Sequence, residues 1–234
     1  MSLLTMTQNV ADETLIAERP TSVIGNADKF ARQCLSLLNK VGDEIKEKHA
    51  WETLIKEENL VTDGSGSYII GTDVFTDGDY ESFVSESGWN ATQNRSMDLL
   101  NSRQWQNLIN STISNTGITT FFRIRNNDLL IKEDNSGDTL NMEYRSSFWI
   151  TNSSLTPQAA FSDDTDTSLF PEDLLETGLR YYLKIQRGLP AVVEFDLYID
   201  KIARLQALDI PREIIGPKPN RLFLVNIPDT GVGL

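Results

Sequence analysis

The stretch TTFFRIRNNDLLIKEDNSGDTLNMEYR, residues 119–145, decides what kind of fold to expect. Phe122 and Ile124 fall on one side of an extended chain, with Arg123 and Arg125 on the other. Leu140, Met142 and Tyr144 repeat that alternation. A period of two in aromatic and branched residues is the pattern of a half-buried strand. Asn126-Asn127-Asp128 and the run DNSGD (134–138) interrupt it with turn-forming residues. The stretch therefore predicts three short strands joined by two tight turns, an antiparallel meander.

The texture on either side of this stretch extends the reading. From 52 to 150 the chain is rich in Thr, Ser, Asn, Gly and aromatics, and TDGSGS (62–67) and TDGDY (76–80) are further turn signals. Within this region SRQWQNLINSTIS (102–114) spaces Trp105, Leu108, Ile109 and Ile113 as one face of a short helix. Residues 27–49 form the clearest helix, with Phe30, Cys34, Leu37, Val41 and Ile45 at steps of three or four. Arg19-Pro20-Thr21-Ser22 separates it from a shorter helix over about 3–16.

Helical spacing returns after 168. PEDLLETGLRYYLKIQRG ends at Gly188-Leu189-Pro190, and the next segment carries Val192, Phe195, Ile199 and Ile202 on one apolar face. The expected architecture is α+β. Residues 1–51 and 157–210 form a helical bundle from N- and C-terminal helix pairs, 52–156 an antiparallel β-rich insertion, and 211–234 an extended C-terminal arm. Four of the eight prolines (Pro211, Pro217, Pro219, Pro228) lie in that arm and forbid a helix. Its apolar residues Leu222, Phe223, Leu224, Val225 and Ile227 suit a sheet edge or groove on a partner, or equally a strand packed on their own domain.

The totals exclude several classes of function. With 39% hydrophobic and 24% charged residues over 234 positions, the chain reads as an ordinary folded protein. No apolar run of about eighteen residues is present to span a membrane. The opening MSLLTMTQNVADETL lacks the plan of a secretory signal. A single cysteine, Cys34, forbids an internal disulfide and reads as a small buried apolar residue. The single histidine, His49, closes a charged helix where a cation suits the C-terminus. Together they exclude most zinc sites, and no cofactor is expected. A net charge of −13 argues against wrapping a phosphate backbone, although an acidic surface suits DNA that must slide past without sticking.

The conspicuous candidate site is AAFSDDTDTSLFPEDLLETGLR (159–180), which holds Asp163, Asp164, Asp166, Glu172, Asp173 and Glu176. Asp164-Thr165-Asp166-Thr167 begins like a phosphotransferase signature, D-x-D-x-T. That chemistry needs its first Asp on the tip of a buried strand in a doubly wound sheet, and Pro157–Ser162 is no such strand. A calcium loop wants a Gly after the third ligand, which is missing. The residues read better as the way into a helix: Thr167 or Ser168 to cap it, Pro171 in the first turn, and Glu172 and Asp173 on the positive end of the dipole. No catalytic residue and no metal ligand is expected. Trp89, Trp105 and Trp149 read as core or interface anchors, with stacking on sugars as the alternative.

Taken in order, several stretches resemble the head-to-tail adaptor proteins of tailed bacteriophages. RPTSVIGNADKFARQCLSLLNKVGDEIKEKHAWETL (19–54) is similar to their opening helical hairpin, with Trp51 after the charged turn. WNATQNRSMDLLNSRQWQNL (89–108), FRIRNNDLLI (122–131) and MEYRSSFWI (142–150) resemble the strands and the segment between them. FSDDTDTSLFPEDLLETGLRYYLKIQRGLP (161–190) is the nearest likeness. The likeness runs through roughly residues 1–208 and makes Asp164, Asp166, Thr167, Ser168 and Pro171 a structural hallmark rather than a site.

The resemblance implies a non-enzymatic virion protein of the phage neck, made in the bacterial cytoplasm. It implies a ring, typically of twelve copies, that binds the portal protein on one side and the tail or nozzle protein on the other, with tail fibres as a further partner. DNA would pass through the channel without specific binding, and the arm at 211–234 would reach the portal. Two other readings stay beside it: a carbohydrate- or fibre-docking module centred on the β-rich region, and a hydrolase using Asp164 and Asp166 or carried in the tail to cut cell wall.

Overall fold

The structure, a computed structural model, describes residues 2–14, 18–110, 119–132 and 135–209. Among the described residues there are five α-helices: α1 (Leu3–Thr14), α2 (Lys29–Lys48), α3 (Ser102–Asn110), α4 (Glu172–Gln186) and α5 (Val192–Asp209). The strands are β1 (Ile55–Val61), β2 (Ser67–Ile69), β3 (Tyr80–Phe83), β4 (Trp89–Asn90), β5 (Arg95–Leu99), β6 (Thr120–Arg125), β7 (Asp128–Lys132) and β8 (Thr139–Ser146). Three two-residue strands follow, β9 (Ile150–Thr151), β10 (Pro157–Gln158) and β11 (Thr167–Ser168).

The molecule is a mixed α/β protein dominated by one curled sheet, open like a half-barrel. The strands run β1-β8-β4-β5-β6-β7-β2, with β3 sharing the β4 edge of β8. This corrects the expected α+β helical bundle with an insertion, because the sheet is the larger body and eight strands build it. Three of those strands, β2, β3 and β4, are two to four residues long, too short to display a period.

The expected meander is corrected as well. β6 and β7 form the predicted hairpin through Asn126 (φ 58°), but β8 does not pair with β7. It pairs with β1 along seven residues, Ile55 opposite Arg145 through Val61 opposite Thr139. The reason lies in the DNSGD turn. Thr62 and residues 137–138 exchange backbone hydrogen bonds (Thr62 N–H to Asp138 C=O, 2.9 Å; Gly137 N–H to Thr62 C=O, 2.8 Å). The buried Asp138 carboxylate accepts from the side-chain amides of Asn90, Gln93 and Asn135. That knot commits β8 to the end of β1. β5 and β6 pair in parallel, which needs a crossover, and the connection containing α3 supplies it.

Helices α1, α2, α4 and α5 share a separate core with Trp51, Leu54, Trp149, Ile150, Phe161 and Phe170. Asp28 caps α2 through Ala31 N–H (3.3 Å), and α4 ends where Gly188 turns to φ 67° and Leu189 N–H returns to Lys184 C=O. Two helical glycines set the close approaches. A Cβ on Gly42 would stand 2.0 Å from the buried Trp149 ring, and one on Gly178 would stand 2.6 Å from Val41.

The α5 face is a further difference. Tyr198 and Ile202 are buried, whereas Val192, Phe195 and Ile199, which share the expected apolar face with Ile202, are exposed. No helix among the described residues is long and apolar enough to cross a membrane. The arm residues Leu222, Phe223, Leu224, Val225 and Ile227 lie outside the described residues.

Candidate functional site

The acidic stretch runs from the end of β10 through β11 into α4, and most of its hydrogen bonds are made within the protein. Asp164 Oδ1 accepts the N–H groups of Val23 (2.9 Å) and Ile24 (2.8 Å), in the connection between α1 and α2. Its carbonyl accepts Leu4 N–H (3.2 Å), and the Asp166 carbonyl accepts Leu3 N–H (2.9 Å). Those two donors open α1, where the first turn has no acceptor of its own. The loop therefore caps one helix with its backbone and clamps the next connection with a side chain.

Within the loop the carboxylates fix its shape. Asp166 is fully buried, and its Oδ2 accepts from Ser162 N–H (2.7 Å), Asp163 N–H (2.8 Å) and the Ser162 hydroxyl (3.2 Å). Asp163 Oδ1 accepts from Thr165 N–H (2.9 Å) and its hydroxyl (2.7 Å), and these bonds hold its carboxyl below the usual range. Thr167 and Ser168 form β11 against β9, with the Thr167 and Thr151 hydroxyls 3.0 Å apart. The Ser168 hydroxyl accepts Phe170 N–H (2.9 Å). Neither Thr167 nor Ser168 caps α4. Pro171 occupies the cap position (ψ 127°) with no side-chain hydrogen bond, and Glu172 and Asp173 supply the negative charge of the first turn.

The six carboxylates are thus dispersed. Glu176 on α4 accepts from Asn9 Nδ2 (2.8 Å) and lies 3.6 Å from Arg180, while Asp173 pairs with Lys201 (2.5 Å). Asp164 and Asp166 flank a turn beside two-residue edge strands, not the end of a central parallel strand, so the phosphotransferase arrangement is not what they build. Among the described residues, no group of three or more His, Cys, Asp or Glu is placed to hold a metal ion.

Other residues singled out in the sequence fall into structural places. Cys34 is fully buried, and burial pushes its thiol up to about 12. His49 Nε2 lies 3.1 Å from Asp209 Oδ2, and its ring meets Trp51 edge-on at 5.0 Å. Trp105 and Trp149 are buried, which removes two of the three stacking candidates; Trp89 is 36% exposed.

Sequence reasoning missed two buried polar clusters. The first is the Asp138 knot. In the second, Asp79 accepts from Lys56 Nζ (2.6 Å), the Ser146 hydroxyl (2.6 Å) and the Tyr144 hydroxyl (2.9 Å). Burial pushes the Asp79 carboxyl up, but these three donors together outweigh it and hold it below the ordinary value. Burial, then the Asp79 hydrogen bond, raises Tyr144. Glu58 is raised by burial and by Asp77 and Asp79. The cluster ties β1 and β8 to the residue before β3, with each polar atom spent on another. The TDGDY motif carried the signal as a turn, but nothing in it announces a lysine twenty-odd residues earlier.

Comparison with known proteins returns no match, neither to a family model nor to a curated protein.

Proposed function

We propose that the chain is a structural adaptor of the phage neck, one subunit of a ring that joins the portal to the tail or nozzle and extends the DNA channel. The observation that supports it best is the role of residues 161–190, the stretch most similar to the adaptor family. The Asp164 and Asp166 carboxylates accept backbone N–H groups of the α1–α2 connection and of the loop itself, and the carbonyls of the same two residues accept those that open α1. A loop committed in this way serves assembly of the helical core rather than turnover of a substrate. The net charge of −13 per copy is compatible with a channel wall that repels DNA and lets it pass without specific binding. A closed ring needs two different complementary faces on every subunit, repeated by rotation.

Native mass measurement of the full chain, alone and with the portal protein of the same virus, tests the proposal. The expected result is a ring of about twelve copies bound to the portal. A chain that ignores the portal at every concentration would remove the adaptor function.

A further inference from the structure

The outward surface of the curled sheet divides by charge. On β1 and β8 burial alternates, so Leu60, Leu140, Met142 and Tyr144 face the core while Glu57, Asn59 and Glu143 face out. Glu57 stands directly opposite Glu143 in the β1–β8 pair, and like charges so placed weaken a sheet. Among the described residues, neither carboxylate takes part in an ion pair or side-chain hydrogen bond that would relieve this. The neighbouring strand β4 adds Trp89, 36% exposed and opposite Asn141, one diagonal step from Glu143. Arg145, on the same face, is already paired with Glu81 (2.7 Å). The face therefore offers two carboxylates and an aromatic ring to a cation from outside.

Farther along the same sheet, β6 presents the opposite charge. Phe122 and Ile124 pack in the core, so Arg123 and Arg125 face out. Arg123 donates to the Ser102 hydroxyl (2.8 Å), which sets Arg103, the next residue of α3, at the same corner. Arg103 and Arg125 are both exposed. Residues 95–132 carry five bases against Asp98 and Asp128, or +3, so the rest of the chain carries −16. A guanidinium is the group that the Glu57–Glu143 face suits, because it forks onto carboxylates and stacks on a Trp ring. We infer that the two faces are the two sides of one contact between copies: Arg123 and Arg125 of one chain dock against Glu57, Glu143 and Trp89 of the next.

One chain cannot satisfy itself. β4 and β5 lie between β8 and β6, which puts those strands about 14 Å apart, and a twist of about 20° at each step turns their outward faces in different directions. The contact is therefore heterologous, each copy giving one face and receiving the other, and repetition by rotation closes a ring. The net charge of −13 opposes association at long range. At about 0.15 M salt that repulsion is screened beyond about 8 Å, and at closer range the facing charges are opposite. The inference deepens the adaptor proposal and rests on it for the closure of the ring on a portal.

Charge reversal on the full chain tests it. Three variants are compared with the unsubstituted protein: Glu57→Arg with Glu143→Arg, Arg123→Glu with Arg125→Glu, and all four changes together. These side chains face out, and Arg123 gives up only its bond to Ser102, so each variant folds; unchanged thermal unfolding confirms this. Native mass is followed against protein concentration, with and without the portal protein of the same virus. Either two-site reversal should raise the concentration needed for assembly about tenfold or more. Mixing the two variants, or combining all four changes, should restore assembly at least in part. Assembly that neither reversal weakens overturns the inference and leaves the adaptor proposal standing, as does a loss that neither mixture nor combination restores. Reversal-sensitive assembly by a chain that ignores the portal supports the contact and removes the adaptor function. A chain that is monomeric under every condition overturns both.

Discussion

The helical core and the curled sheet combine apolar packing and buried carboxylates in different proportions. Around α2 and α4 the contacts are apolar and close: Leu38, Val41, Ile45, Leu175 and Leu179 are almost wholly buried, and two glycines let Trp149 and Val41 approach the helix backbones. The sheet has its own apolar layer in Phe122, Leu129, Leu140 and Met142, but its unusual pairings are specified by buried carboxylates. Asp138 fixes which strand β8 joins, and Asp79 locks the far end of that pair. Shape complementarity tolerates acid and salt, whereas a buried carboxylate works only while ionised and fully bonded. The helical core has one such element, the acidic loop of Asp164 and Asp166, whereas in the sheet the carboxylates decide which strands pair.

The largest expected effect is in the helical core. Gly42→Ala forces a methyl group into the Trp149 ring, which is buried on every side and donates to Asp43 (3.2 Å). A loss of about 3 kcal/mol or more is expected from overpacking with displacement of a large ring, read as the urea midpoint. Next comes Asp79→Ala, which strands the Lys56 ammonium and the Tyr144 and Ser146 hydroxyls in the sheet. Because Lys56 is partly exposed, a loss of about 2 kcal/mol is expected.

Acid sharpens the comparison. The Asp79 carboxyl is held below its ordinary 3.8, so its contribution is present above that value and is lost as pH falls through the lower folded value. Stability followed by denaturant unfolding should fall steeply below about pH 4, and this limb should be shallower in Asp79→Ala. An identical acid limb in the two proteins would show that Asp79 is not a principal acid-sensitive tie. The smallest effect is chemical: Cys34, buried with a thiol pushed up to about 12, should resist iodoacetamide at pH 8 in the native protein and react on unfolding.

What was legible in the sequence follows from the range of the forces involved. The five helices and the β6–β7 hairpin were visible because period and turn chemistry are local: Asp28 caps α2 three residues away, and Asn126 turns the hairpin within it. The alternation of Leu140, Met142 and Tyr144 also matched burial. The partner of that strand was hidden, because Thr62, Asn90 and Asp138 meet only in space. β4 and β9, two residues long, carry no pattern to read.

The acidic stretch was legible as the approach to a helix, but the partners of its side chains and carbonyls were not. The acceptors for Leu3 and Val23 lie some 140 to 160 residues away, and Ser168 bonds the loop rather than the helix. On α5 the error had a different source. Two apolar faces share one helix, and period alone cannot say which of them is buried.

Asp164 tests most directly whether the acidic loop is a clamp. Amide hydrogen exchange should be measured on the full chain and on Asp164→Ala, residue by residue. Faster exchange at Val23 and Ile24, with a loss of about 1–2 kcal/mol in the helical core and unchanged protection in β1 and β8, is the expected result. Unchanged protection at Val23 and Ile24 with full stability would contradict it and return Asp164 to consideration as a reactive group.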